Sequence, residues 1–167
     1  MKSVIFSFLL ILALPLSMNG NDFKGIKRIT ANESQNESNS WINFVKPFEL
    51  SEIPEKSLTQ IACDSKYWLW INEKLVVFEG QLKRGPTPND TYYDEVDIAP
   101  YLKLGKNKIA ILVWYFGKDG FSHKSSGQAG LVFKNDVLHI HSDNTWLSRL
   151  NKAFEYTSRD YPNYRLS

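Results

Sequence analysis

Short apolar runs punctuated by polar turns fill the middle of the chain. Tyr67 to Ile71 and Leu75 to Phe78 are apolar at nearly every position, and Ile109 to Phe116 is apolar without a break. Runs of four to eight residues, rich in β-branched and aromatic side chains, predict strands buried on both faces rather than helices. WINFVKPFEL (41–50) alternates apolar and polar residues up to the edge-type Pro47, and Leu58 to Cys63 is the next strand. Asp64-Ser65-Lys66 reads as a turn. Asn72-Glu73-Lys74 closes a hairpin in which Glu73 stands where glycine would be easiest, so either the turn is longer or Glu73 tolerates some strain. Val96 and Ile98 mark a short strand, Pro100-Tyr101-Leu102 one helical turn, and Gly105-Lys106-Asn107 a tight reversal. Leu131 to Phe133 and Val137 to Ile140 predict a further hairpin, and Asp143 to Leu150 a closing strand. About eight short strands with almost no helix imply an all-β, antiparallel β-sandwich or jelly roll.

Two stretches break this pattern. Lys83 to Tyr93 combines two prolines, a glycine, bases, an acid, an amide and a tyrosine pair. Pro86 and Pro88 fix φ near −65°, so the loop is stiff although it lacks ladder hydrogen bonds. Lys83, Arg84, Asn89, Asp90, Tyr92, Tyr93 and Asp94 supply the aromatic faces, carboxylates, amides and guanidinium that bind sugars. Alternatively, Arg84 pairs with Asp90 or Asp94 and the tyrosines pack on the sandwich edge. The second stretch, GKDGFSHKSSGQAG (117–130), has four glycines beside Lys118, Asp119, His123 and Lys124. Loops at one end of a β-sandwich lie together, so both stretches are expected on one face.

The remaining candidates are weaker. Trp68 and Trp70 share a strand face and read as core before stacking platform, as does Trp114 in its apolar run beside Tyr115. His139 and His141 are two apart, with Asp143 nearby, but no third metal ligand is adjacent, so no metal and no cofactor is expected. An enzyme in its own right would have to use Asp94, Asp97, Asp119 or His123, and no spacing motif supports that.

Composition narrows the class. Lys2 followed by the apolar run Val4 to Leu16 predicts a signal peptide over 1–21, hence an exported protein, periplasmic or extracellular, with no membrane partner after cleavage. Left uncleaved, the same run would be an anchor. Losing it lowers the net charge of +2 to about +1, with acids and bases alternating, which argues against nucleic acid. Residues 22–40 are polar and aperiodic and read as a disordered leader; 41–150 form the domain, and 151–167 an irregular tail. Asn32, Asn36 and Asn89 head N-x-S/T triplets, which matter only in a eukaryotic secretory pathway. Cys63 is the only cysteine, so no intrachain disulfide exists and the core must hold the fold alone.

Three blocks carry a resemblance: IACDSKYWLWINEKLVVFEG (61–80), KRGPTPNDTYYDEVDIAPYL (83–102) and GKNKIAILVWYFGKDGFSHKSSGQAGLVF (105–133). Together they resemble the N-terminal β-sandwich domain of bacterial α-L-rhamnosidases, over roughly Trp41 to Arg149. Ile-Asn at a strand end, then Val-Asp-Ile, Tyr-Leu and Gly-x-Asn before an apolar strand, is similar to a broader set of galactose-binding-like jelly rolls in glycosidases. The resemblance implies contact with rhamnose-containing glycans or support of a glycosidase catalytic domain. Rhamnosidases of this type hydrolyse in a separate (α/α)₆ barrel; its catalytic acids have no matching positions here, and none is carried over. The expectation is therefore an accessory module without its enzyme. A surface for assembly with another polypeptide would instead require an exposed apolar patch with a polar rim.

Overall fold

The computed structural model describes residues 23–32, 37–82, 92–120 and 123–154. Among these residues nine strands, β1 (Ser40–Leu50), β2 (Leu58–Cys63), β3 (Lys66–Ile71), β4 (Lys74–Gln81), β5 (Asp94–Asp97), β6 (Gly105–Tyr115), β7 (Leu131–Asn135), β8 (Ile140–His141) and β9 (Leu147–Leu150), form two sheets. One has the order β4-β3-β6-β1-β9 and the other β5-β2-β7-β8, and every pairing is antiparallel. The only helical element among the described residues is a 3₁₀ turn over Ala99–Tyr101, begun by Pro100. The molecule is an all-β sandwich.

Strand alternation decides what fills the space between the sheets. Ile42 and Phe44 of β1, Tyr67, Leu69 and Ile71 of β3, and Ile109, Ile111 and Val113 of β6 are almost wholly buried there. Ile61, Leu131 and Phe133 meet them from the smaller sheet. Trp146 closes one side, packed against Phe133 and donating its indole N–H to the His141 carbonyl (2.9 Å). Burying side chains of this size contributes about 1.5–3 kcal/mol each. That accounts for a fold without a disulfide, in which Cys63 is only another buried residue.

The structure corrects several expectations. The 67–78 hairpin is not buried on both faces. In β3 only the odd positions face the core, and β4 is an edge strand whose Leu75 and Phe78 are 47% and 70% exposed. β6 is central, as its apolar run requires, yet Ala110 and Leu112 on its outer face are only half-buried. Order begins before Trp41: Ile29 exchanges two 2.9 Å backbone hydrogen bonds with Leu131, and Ala31 enters the core. These two apolar residues are too few to create a period in the polar 22–40 stretch, yet they suffice to extend the smaller sheet. Val137 to His139 form a turn rather than a strand, and the closing strand starts at Leu147 rather than Asp143. Of the two readings of the hairpin turn, the strained one holds: Asn72 (φ 49°) and Glu73 (φ 71°) make a two-residue turn between Ile71 and Lys74, and Glu73 accepts the left-handed conformation.

Candidate functional site

The strand registers bring one set of termini together. Cys63 pairs with Leu131, Ile61 with Asp94, Lys66 with both Gln81 and Trp114, and Ser40 with Tyr115. The 64–65 turn, the 82–93 connection and the 116–130 connection therefore leave the sandwich at the same end. The described ends of the two connections, Gln81–Leu82 with Tyr92–Asp94 and Phe116 with Gly130–Leu131, lie at that end. Lys83, Arg84, Asn89 and Asp90, with Pro86 and Pro88, lie outside the described residues.

Asp94 opens β5 and acts as an anchor. Its Oδ2 accepts the Tyr67 phenolic O–H (3.1 Å) and the Gln81 backbone N–H (2.6 Å). Burial and then the Asp94 charge push the Tyr67 phenol far above its usual range, so Tyr67 stays a donor. The ring needs room, and Gly80 supplies it: a Cβ there would lie 2.4 Å from Tyr67 Cε1. Gln81 also donates its amide to the Tyr92 carbonyl (2.8 Å), while Tyr93 meets Phe23 edge-on at 5.7 Å. The 92–94 segment is thus clamped at the mouth of the sandwich.

The anchor of the second loop is Asp64, which sequence reasoning treated only as a turn residue. Though 4% exposed, its carboxylate receives the hydroxyls of Ser65 (3.0 Å), Ser125 (3.2 Å) and Ser126 (2.6 Å) and the Ser126 backbone N–H. A buried charge is tolerable only with such a set of donors. Ser65 in turn accepts the Phe116 N–H (3.0 Å), tying the turn to the end of β6. Burial raises the Tyr115 phenol, and its hydrogen bond with Ser125 pulls the other way. Burial, then Asp64 and Asp94, raise the Cys63 thiol well above its ordinary value, which makes it unreactive. The one sequence signal for Asp64 is a polar residue directly after an apolar strand. Apart from Ser65, its partners Ser125 and Ser126 lie 61 and 62 positions further on.

Above this anchor, Asp119 and Lys124 form an exposed ion pair (2.6 Å), and Asp119 also accepts the Ser125 N–H (3.0 Å). The Lys124 hydrogen bond, then that from Ser125, hold the Asp119 carboxyl below its usual value. Lys118 is exposed beside them. His123 is buried instead, its ring edge-on to Phe116 at 5.5 Å, and its Nε2 has no partner among the described residues. Gly117 (φ 68°) makes the turn into the loop, where a Cβ would strike Ser38 Oγ at 2.6 Å.

Other candidates fall elsewhere. Asp97 lies at the opposite end, its Oδ1 accepting the Ser57 and Ala99 N–H groups (2.8 and 3.1 Å). Asp94, Asp97, Asp119 and His123 therefore do not converge. His139 sits in a turn at φ 53° rather than on a strand, and His141 pairs with Asp136 at 2.9 Å. The two-apart spacing consequently does not bring both imidazoles to one face. Trp68 and Trp70, expected in the core, stand on the outer face of the larger sheet, because Tyr67, Leu69 and Ile71 take the inner one. Trp114 is buried, but also on that outer face, stacked on Trp41 at 4.6 Å and donating to Asn39 (2.8 Å).

No protein-family model and no curated protein matches the sequence. Solved structures do. A GH78 family rhamnosidase of Bacillus sp. GL1 is similar with a TM-score of 0.65 and 25% identity, over 75% of this chain and 13% of that one. The α-L-rhamnosidase of Aspergillus terreus gives 0.58 at 20% identity, over 80% and 17%. A Pleurotus ostreatus lectin gives 0.50 at 17% identity, over 76% and 35%. The chain thus resembles a single accessory domain of α-L-rhamnosidases, and it spans less than a fifth of the length of these enzymes.

Proposed function

We propose that this chain is a non-catalytic accessory module that holds carbohydrate, in particular rhamnose-containing glycans, at the loop end of its sandwich, in the service of a glycoside hydrolase catalytic domain. One observation carries the reading: among the described residues of that end, the aspartates are engaged by its own backbone, hydroxyls and lysine. Asp64 and Asp94 anchor loops, and Asp119 is paired with Lys124. Inverting hydrolysis needs two carboxyls facing one another across a water. A mouth that displays Lys118, Lys124 and the partly exposed Tyr92 and Tyr93 is suited instead to binding. The likeness to rhamnosidase domains and to a lectin supports this reading.

The test is an NMR titration of the chain with L-rhamnose and rhamnose-containing oligosaccharides. Amide shifts in 92–94 and 117–130 at millimolar sugar are expected. Silence there at saturating sugar, or turnover of an aryl rhamnoside by this chain alone, would overturn the proposal.

A further inference from the structure

Away from the loop end, the outer face of the five-stranded sheet carries a trough. Register sets two rows across it: Trp68, Leu112, Asn43 and Arg149, then Trp70, Ala110, Val45 and Leu147. Ala110 is small and stands in the same row as the large Trp70 and Leu147, next to Trp70, so the floor drops there. The resulting cavity of about 540 Å³ has Trp70 on one side and Leu147, Ser148 and Arg149 on the other. That size falls within the range of small-ligand sites, roughly 300–1,000 Å³.

The two walls differ in chemistry. Trp70 is half-buried, and its indole N–H has no partner among the described residues. Across the trough the exposed Arg149 has no ion-pair partner among the described residues, and no acid lines the cavity. Asn43, on the floor, accepts one long hydrogen bond from Asn151 (3.4 Å) through its oxygen, which leaves its amide donors unspent. An apolar polypeptide laid here would bury Arg149 and the Asn43 donors without partners, at a cost of about 1–3 kcal/mol for each neutral group and more for the charge. A pyranose suits both walls at once. Its C–H face stacks on an indole, and its polar edge meets guanidinium and amide donors. A lone guanidinium facing no carboxylate favours a ligand that brings one, since Arg binds carboxylate through two parallel hydrogen bonds.

We infer that this trough is a second glycan site, separate from the loop end, which takes an oligosaccharide bearing a uronic acid. Trp70 stacks one ring, and Arg149 binds the carboxylate of the same or the adjacent residue.

The experiment uses the whole chain and two probes, trigalacturonate and the neutral cellotriose, followed by the Trp70 indole N–H and Arg149 signals in NMR. The acidic trimer is expected to shift both and to bind at least about fivefold tighter than the neutral one, an advantage that salt erodes. Trp70→Ala and Arg149→Gln should each weaken it about tenfold while leaving core amides unchanged. Trp70→Phe, which keeps a ring, should retain most of the binding if the alanine variant fails to fold. Equal affinity for the two trimers, shifts confined to 117–130, or no shift at all would overturn the inference. So would sedimentation showing a dimer that Trp70→Ala dissolves, because the face would then be a polypeptide interface. Rhamnose binding at the loop end can fail without touching this result, since the two sites share no residue.

Discussion

The two ends of the sandwich use buried polar residues in different ways. At the end where β3 turns into β4, Asn72 donates to the Tyr101 carbonyl (2.9 Å) and to Asn107 (2.8 Å), and accepts the Lys108 N–H (3.0 Å). Asn107 also donates to the Lys103 and Gly105 carbonyls (2.6 and 2.9 Å) and accepts the Lys103 N–H (3.0 Å). Asp97 ties in the Ser57 strand start. Every link runs between strand ends and short turns, and the end is sealed. At the opposite end, Asp64 and Asp94 hold the roots of long connections, and the exposed charges ride above them. The lesson is that Ile-Asn, Val-Asp-Ile, Tyr-Leu and Gly-x-Asn, which carry the broad resemblance, are a device for closing a sandwich. They say what the fold is. They do not say what it binds.

That contrast can be broken by substitution. Asn107→Ala leaves several backbone groups unpaired in a buried site and should cost about 2–4 kcal/mol in chemical denaturation, with unfolding still cooperative. A loss under 1 kcal/mol would mean that the sealed end does not hold the strands. Asp64→Asn replaces an acceptor of four hydrogen bonds and should cost about 1–3 kcal/mol. Its signature is local: hydrogen exchange should speed up in 123–130 and not in β3 or β6. Glu73→Gly relieves a left-handed residue in the sealed end's hairpin and should gain about 0.5 kcal/mol, a rise of a few degrees in Tm. A fall would mean that the Lys108–Glu73 contact (3.6 Å) matters more than the turn.

The smallest effect is that of pH. Asp119 is depressed in the folded state by Lys124 and then Ser125, so its contribution is complete above the unfolded carboxylate value. It is lost only as pH falls through the lower folded value. The Ser125 amide signal should therefore be flat from about pH 7 to 5 and move only below about pH 4. Movement already between pH 7 and 5 would contradict the Asp119 assignment.

Much of the framework was legible because strand chemistry is local. The unbroken run 109–116 marked the central strand, and the 3₁₀ turn followed from Pro100. The tryptophans were not legible. Trp68 and Trp70 sit between equally apolar Tyr67, Leu69 and Ile71, so composition could not say which set faces inward, and only the opposing sheet decides. Asp64 was missed because its donors Ser125 and Ser126 are distant in sequence and ordinary in type. Ile29 was missed because a single bridge leaves no period. The two unusual loops were recognisable from composition, and the strand order places the described ends of both connections at one end.

The most direct measurement compares affinity for a rhamnose-containing oligosaccharide in Asp64→Asn and Asn107→Ala, at a temperature where both are folded. Division of labour between the ends predicts about a tenfold loss in Asp64→Asn and wild-type affinity in Asn107→Ala. Unchanged affinity in the first, or an equal loss in the second, would contradict it.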